Sequence, residues 1–242
     1  MIDKIIYEIN DTKRLLRAVP SVAMVLFCIS VVLMNLLANK EIYTGVSWFA
    51  LDCGILLSWL SFLCMDIVTK RFGPKASVKL SLIAIIVNLG VCAVLKVVSL
   101  IPGNWGEFYT FETQVVNWAI DNTIGGTWYV LLGSTVAMAA ASVVNAVTNH
   151  TIGKRMKSDD FKAFALRSYV STVLAQFVDN MVFTLIVSYH FFGWSLLQCI
   201  TCSVAGCVVE LICEMVFSPL GYKVSKLWEQ ENVGSEYLGG LK

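Results

Sequence analysis

Residues 78–101 read VKLSLIAIIVNLGVCAVLKVVSLI. The only charges are Lys79 and Lys96, one near each end, with sixteen uncharged residues between them. A helix rises about 1.5 Å per residue, so a block of this length covers the roughly 30 Å hydrocarbon core of a bilayer. Pro102-Gly103 then punctuates its end. Working outward, blocks of the same kind recur at about 18–38, 46–67, 127–150, 168–189 and 194–217, the last closed by Pro219. The expected fold is all-α and integral to the membrane, with six transmembrane helices. Residues 1–17 form an amphipathic segment ahead of the six-helix domain (18–222), and 223–242 form a tail.

Composition agrees with this reading. The 242 residues are 57% hydrophobic and 14% charged, where a soluble domain carries roughly 25% charge. A net charge of +1 predicts no nucleic-acid partner. Eight cysteines all lie inside apolar blocks, where they read as small packing residues. Cys199 and Cys202 form a C-x-x-C pair without the context of a redox or metal site. The first apolar block is too long for a cleavable signal and lacks a small-residue cleavage site, so it is expected to stay as the first span. Ahead of it, Ile2, Ile5, Ile6, Ile9, Leu15 and Leu16 alternate with Asp3, Lys4, Lys13, Arg14 and Arg17. That pattern predicts an interfacial helix.

Six alternating spans place sixteen of the eighteen Lys and Arg residues on one side, all but Lys40 and Lys96. They fall in the N-terminal segment, in the 2–3 loop (Lys70, Arg71, Lys75, Lys79), in the 4–5 loop (Lys154, Arg155, Lys157, Lys162, Arg167) and in the tail (Lys223, Lys226, Lys242). Basic loops stay in the cytoplasm, so both termini are expected there, in a plasma (inner) membrane. The 3–4 loop instead carries Glu107, Glu112 and Asp121 with Trp105, Phe108, Tyr109, Phe111, Trp118, Trp128 and Tyr129. Those aromatics fit either an interfacial belt or a lid over an outward-facing site.

Ionisable groups inside spans are costly and need a reason. Asp52, Trp59 and Asp66 are spaced i, i+7, i+14, which would set two carboxylates and an indole on one helical stripe. Gln176, Asp179 and Phe183 share a face of span 5, with Asn180 beside them, and Glu210 and Glu214 are one turn apart in span 6. Asn35 and Asn39 on span 1, Asn145 and Asn149 on span 4 and Asn88 on span 3 extend the pattern. Asp66 could instead pair with Lys70 or Arg71, and Glu214 with Lys223. Two readings remain open: hydrogen bonds that glue helices together, or a polar cavity for a solute. Carboxylates accept N–H groups from a guanine-like edge, and aromatic faces stack on flat rings. Catalysis finds no support. His150 and His190 lie at opposite faces, and no metal-ligand spacing, Walker loop or Gly-x-Ser-x-Gly elbow occurs. No cofactor is expected.

Three stretches carry a family resemblance. They are Phe62-Leu-Cys-Met-Asp-Ile-Val-Thr-Lys-Arg-Phe-Gly-Pro-Lys-Ala76, Arg167-Ser-Tyr-Val-Ser-Thr-Val-Leu-Ala-Gln-Phe-Val-Asp-Asn-Met-Val-Phe183 and Asn35-Leu-Leu-Ala-Asn-Lys40. They resemble the signatures of the queuosine precursor transporter family, also called the vitamin uptake transporter family. Ser171, Gln176, Asp179 and Phe183 match its polar and aromatic positions. Asn180 stands where members carry a small or hydroxylated residue, and Glu210 where a lysine is common. The resemblance implies a fold like the substrate-binding components of energy-coupling-factor transporters and uptake of 7-deazaguanines such as queuine, for tRNA-modification salvage. Asp179 and Glu210 would then accept the N–H edge, Gln176 and Asn88 would complete the polar contacts, Trp59 or Phe183 would stack, and Asp66 would gate. Asn35 and Asn39 belong to the same polar set. Substrate-capture subunits of ATP-driven transporters often carry Ala-x-x-x-Ala in span 1. Here Ala18 and Ala23 are five apart, which favours a solitary transporter over an ATP-driven module; a homo-oligomer stays open. A non-transporting membrane scaffold is the reading from another class.

Overall fold

The structure is a computed structural model and describes residues 2–106, 113–155 and 161–239. Glu107, Phe108, Tyr109, Phe111, Glu112, Lys157 and Lys242 lie outside the described residues, as do the side chains of Ile2, Asn149, His150, Lys154, Arg155, Lys162 and Arg167.

Proline sets the first architectural feature. Pro20 has no N–H to continue a helix and pushes Val19 out of helical geometry. Helix α1 (Ile2–Ala18) therefore stops, and α2 (Ser21–Leu37) leaves it at 108°. A short antiparallel hairpin follows, β1 (Glu41–Ile42) against β2 (Leu51–Asp52), with Glu41 opposite Asp52. Helix α3 (Ile55–Phe72) ends at Gly73, whose φ of +87° suits only glycine, and Pro74 opens α4 (Pro74–Val98). Then come α5 (Gln114–Gly125), α6 (Trp128–Arg155), α7 (Phe161–Ile186) and the single turn α8 (Ser188–Phe191). Ser195 and Gln198 form a reciprocal capping box that starts α9 (Leu196–Gln230), and α10 (Ser235–Gly239) closes the described chain.

Helix α4 shows which solvent this fold suits. Its buried face is Ala76, Ser77, Leu80, Ser81, Ala84 and Asn88, small or polar apart from Leu80. Its exposed face is Val78, Leu82, Ile86 and Leu89, each more than half exposed. Large apolar groups outside and small polar groups inside is the arrangement a lipid surround favours. Five helices close a ring, in which α3 packs on α4, α4 on α6, α6 on α7, α7 on α9 and α9 on α3. Helix α2 lies against α3, α4 and α6.

By length and composition, four described helical segments can cross a membrane: α4, α5 running into α6, α7 and α9. The bent α1–α2 pair makes a fifth if it counts as one span. Six were expected. Helix α2 alone has 17 residues, and the 18 residues of α3 include Asp66, Lys70 and Arg71. The chain is thus an all-α, multi-pass membrane protein.

Three further expectations are corrected. Span 2 does not begin near residue 46, because 46–54 form the hairpin and its turns. Asp52 precedes α3, so the proposed Asp52–Trp59–Asp66 stripe does not exist on one helix. Pro219 does not close the last helix, since α9 runs through it to Gln230. Part of the aromatic loop is also helical. Helix α5 is held by Trp105, whose indole donates to Asp121 at 2.8 Å and whose backbone N–H donates to Asn117 at 2.6 Å.

The largest apolar cluster lies where the two chain ends meet. Leu15, Val19, Phe27, Val31, Phe72, Leu80, Trp228 and Tyr237 are all buried there. Arg71 donates from Nε and Nη2 to the Val233 carbonyl at 3.0 and 2.8 Å. Lys79 pairs with Glu8 at 2.7 Å and with Asp11, which also accepts from the Tyr237 hydroxyl at 3.2 Å. Burial, with the Asp11 carboxylate beside it, raises the Tyr237 phenol above its ordinary pKa, so the hydroxyl remains a donor.

Candidate functional site

Glu210 is the centre of the polar interior. It sits on the inner face of α9, only 2% exposed, in line with the buried Ser203, Gly206 and Cys207. Its Oε2 accepts from the Asn180 amide of α7 at 3.2 Å, and Ser58 of α3, whose hydroxyl donates to the Ile55 carbonyl at 3.3 Å, lies beside it. Gly206, one turn before Glu210, makes the first contact possible. A Cβ there would stand 2.8 Å from the Asn180 Nδ2. Asp179 of α7 and Asp52 of the hairpin both lie within electrostatic range of Glu210. Carboxylates from three parts of the chain therefore share one electrostatic neighbourhood around Glu210. Among the described residues, no lysine or arginine forms an ion pair with any of them.

Asp52 reaches this place by a local device. Its Oδ1 accepts the Gly54 N–H at 2.8 Å, and the turn starts α3. The hairpin is docked on α9 by Thr201, which donates to the Trp48 carbonyl at 2.9 Å, and by Ala50 packed with Trp194, Cys199 and Cys202.

Buried amides extend the polar interior. Gln176, two residues before Val178 and one turn before Asp179, is 1% exposed, and its Oε1 has no partner. Asn88 on α4 is equally buried, with an unpartnered Nδ2. Asn145 on α6, the helix between α4 and α7 in the ring, has an unpartnered Oδ1. A buried unpaired polar atom costs about 1–3 kcal/mol, and such atoms are rare in folded proteins. Three of them on neighbouring helices offer one donor and two acceptors.

Other expected site residues are placed differently. Asn39 is fully engaged. Its amide donates to the Leu36 carbonyl at 3.1 Å and to Thr127 Oγ1 at 3.3 Å, while its Oδ1 accepts from the Tyr129 hydroxyl at 3.0 Å. It ties the end of α2 to the start of α6. Asn35 is buried and donates to the Val31 carbonyl of its own helix at 2.9 Å. Phe183 packs with Ala38, Val130 and Val187, in the same cluster as Tyr129. Trp59 stacks on Phe217 of α9, with centroids 4.2 Å apart and planes at 13°, and its indole donates to the Leu56 carbonyl. Asp66 lies near Glu214, a second pair of acids between α3 and α9. Arg71 is turned to Val233, and the Lys70 ammonium sits 3.5 Å over the Tyr222 ring. No residue of α9 from 211 to 220 is fully buried, although the Glu214 Oε2 atom is itself shielded.

A family model described as "putative vitamin uptake transporter" matches residues 52–224. The chain belongs to that family. The match contains α3 to α8 and α9 up to Val224, and with them the carboxylates and amides of the ring. Membership in the vitamin uptake transporter family makes transport of a vitamin-like solute the coarse function of the chain. No curated protein and no solved structure matched it.

Two contributors to the site were not singled out from sequence. Ser58 and Gly206 look like packing residues in apolar blocks. Their signal would have been register: Ser58 flanks Trp59, and Gly206 precedes Glu210 by one turn.

Proposed function

We propose that the chain imports a queuosine precursor, a 7-deazaguanine base such as queuine or one of its biosynthetic precursors, across the plasma (inner) membrane. The observation that carries the proposal is the convergence of Asp52, Asp179 and Glu210 beside buried amides, with no described cation to neutralise them. A guanine-type edge presents adjacent N–H donors, and carboxylates are their natural acceptors. Ring carbonyl and nitrogen acceptors would take the Asn88 Nδ2, and further donors the Gln176 Oε1. Asp179, Gln176, Glu210 and Asn88 are the contact residues. Phe217 already covers one face of Trp59, so Trp59 would offer its other face. Asp66, which lies near Glu214, would gate at the cytoplasmic side.

In the proposed topology α2 and α3 also cross, giving six spans with both termini in the cytoplasm, in the manner of energy-coupling-factor substrate-binding components. Contact between α1 and α10 supports an even number of crossings, because an odd number would separate the chain ends. The chain would act without an ATP-driven module. Ala18 ends α1 while Ala23 lies in α2, so the two do not share a helix face.

Uptake in a queuosine auxotroph tests the proposal. Asp179→Ala and Glu210→Gln should each abolish salvage while the protein remains folded and inserted. Normal salvage by Asp179→Ala would remove that residue from the site. Absence of any thermal stabilisation of the purified protein by queuine would favour a scaffold instead.

A further inference from the structure

Helix α1 is docked by its polar face and leaves its apolar face open. Glu8, Asp11 and Leu15 are spaced three and four apart and so share one side. That side meets the protein: Lys79 pairs with Glu8 and Asp11, and Leu15 is completely buried. The other side carries Ile6 and Ile9, with Ile5 at its edge, exposed by 50%, 50% and 54%. Helices of soluble proteins do the reverse and turn their apolar stripe inward. Lys13 lies two turns beyond Ile6 on the same stripe, Arg17 one turn further, and both are exposed. Lys79 pairs with two of the three acids of α1 and offsets one of their charges, so the helix with Lys4, Lys13, Arg14 and Arg17 stays net basic. At 108° to α2, α1 runs across the direction of the helix that follows it, as a helix lying flat on a bilayer would.

We propose that α1 is an anchor for an anionic membrane surface. Ile5, Ile6 and Ile9 enter the boundary between headgroups and acyl chains, and Lys13 and Arg17 meet the phosphates of acidic phospholipids. The clasp to Lys79, Tyr237 and Glu236 fixes the roll of the helix, so the isoleucines face lipid rather than the protein. This assignment does not depend on the identity of the transported solute.

Hydrogen exchange of the full-length protein in nanodiscs tests it. Amides of residues 2–14 should exchange slowly in phosphatidylcholine discs containing phosphatidylglycerol and faster in phosphatidylcholine alone. Lys13→Gln and Arg17→Gln should each reduce that protection about fivefold, the effect of one basic residue near an acidic surface. Ile5→Ser with Ile9→Ser should abolish it in either lipid, while unchanged protection of α4 reports an intact fold. Equal exchange in the two lipids, or equal protection in detergent, would overturn the proposal. Protection that appears only with two proteins per disc would overturn it too, in favour of a second copy of the chain on this face.

Discussion

The two ends of the polar inventory behave in opposite ways. Around the chain termini, Lys79, Asp11, Arg71 and Tyr237 all have partners, and they surround a cluster of Leu15, Phe72 and Trp228. In the ring of α3, α4, α6, α7 and α9, Asn88, Asn145 and Gln176 keep unpartnered atoms, and no lysine or arginine among the described residues pairs with Asp179, Glu210 or the neighbouring Asp52. The first region spends its residues on stability. The second holds polar groups in a state that costs stability, and that cost is expected where a solute supplies the missing partners.

The largest effect that could break this contrast lies in the clasp. Phe72 is 4% exposed and touches Trp228, Tyr237 and the close approach at Gly234. Phe72→Ala should cost about 3–5 kcal/mol in unfolding measurements, the usual penalty for emptying such a site. Solute affinity of the molecules that remain folded should not change. A parallel loss of affinity would show that the regions are not separable.

Next in size is Gly206→Ala. The added methyl would displace the Asn180 amide from Glu210. Affinity should fall about tenfold, the equivalent of roughly 1.4 kcal/mol and of one hydrogen bond to a charged group. Ligand titration with the purified variant measures it.

Gln176→Leu should reverse the sign. Removing an unpartnered buried amide should stabilise the fold by about 1 kcal/mol in thermal unfolding and weaken solute binding. A destabilised Gln176→Leu that still binds would make Gln176 an ordinary packing residue. The smallest effect is expected from Lys79→Met, at about 1 kcal/mol or less, and less at high salt.

How far the sequence was legible depended on length. Residues 78–101 announced α4 because sixteen uncharged residues in a row have few other uses. The blocks at 168–189 and 194–217 likewise foretold α7 and α9, and the i, i+3 spacing of Gln176 and Asp179 put them on one face, where α7 carries them. The start of span 2 misled. Val46, Trp48, Phe49, Ala50 and Leu51 are apolar enough for a span, yet Gly45, Gly54 and the Asp52 turn fold them into a hairpin. Pro219 misled in the other direction: a proline reads as a stop, but α9 continues through it.

By itself the sequence determined that this chain lives in lipid, where its long spans run and which polar residues must turn inward. Those are consequences of hydropathy and of the 3.6-residue repeat, both of which are local. Only the tertiary structure decided which inward residues meet. Asp52, Asp179 and Glu210 come from a hairpin and two helices, and Asn39 is spent on Tyr129 while Gln176 is left open. Helix rotation, the close approach at Gly206 and the partners on neighbouring segments make those choices, and they are set by packing between residues distant in the chain.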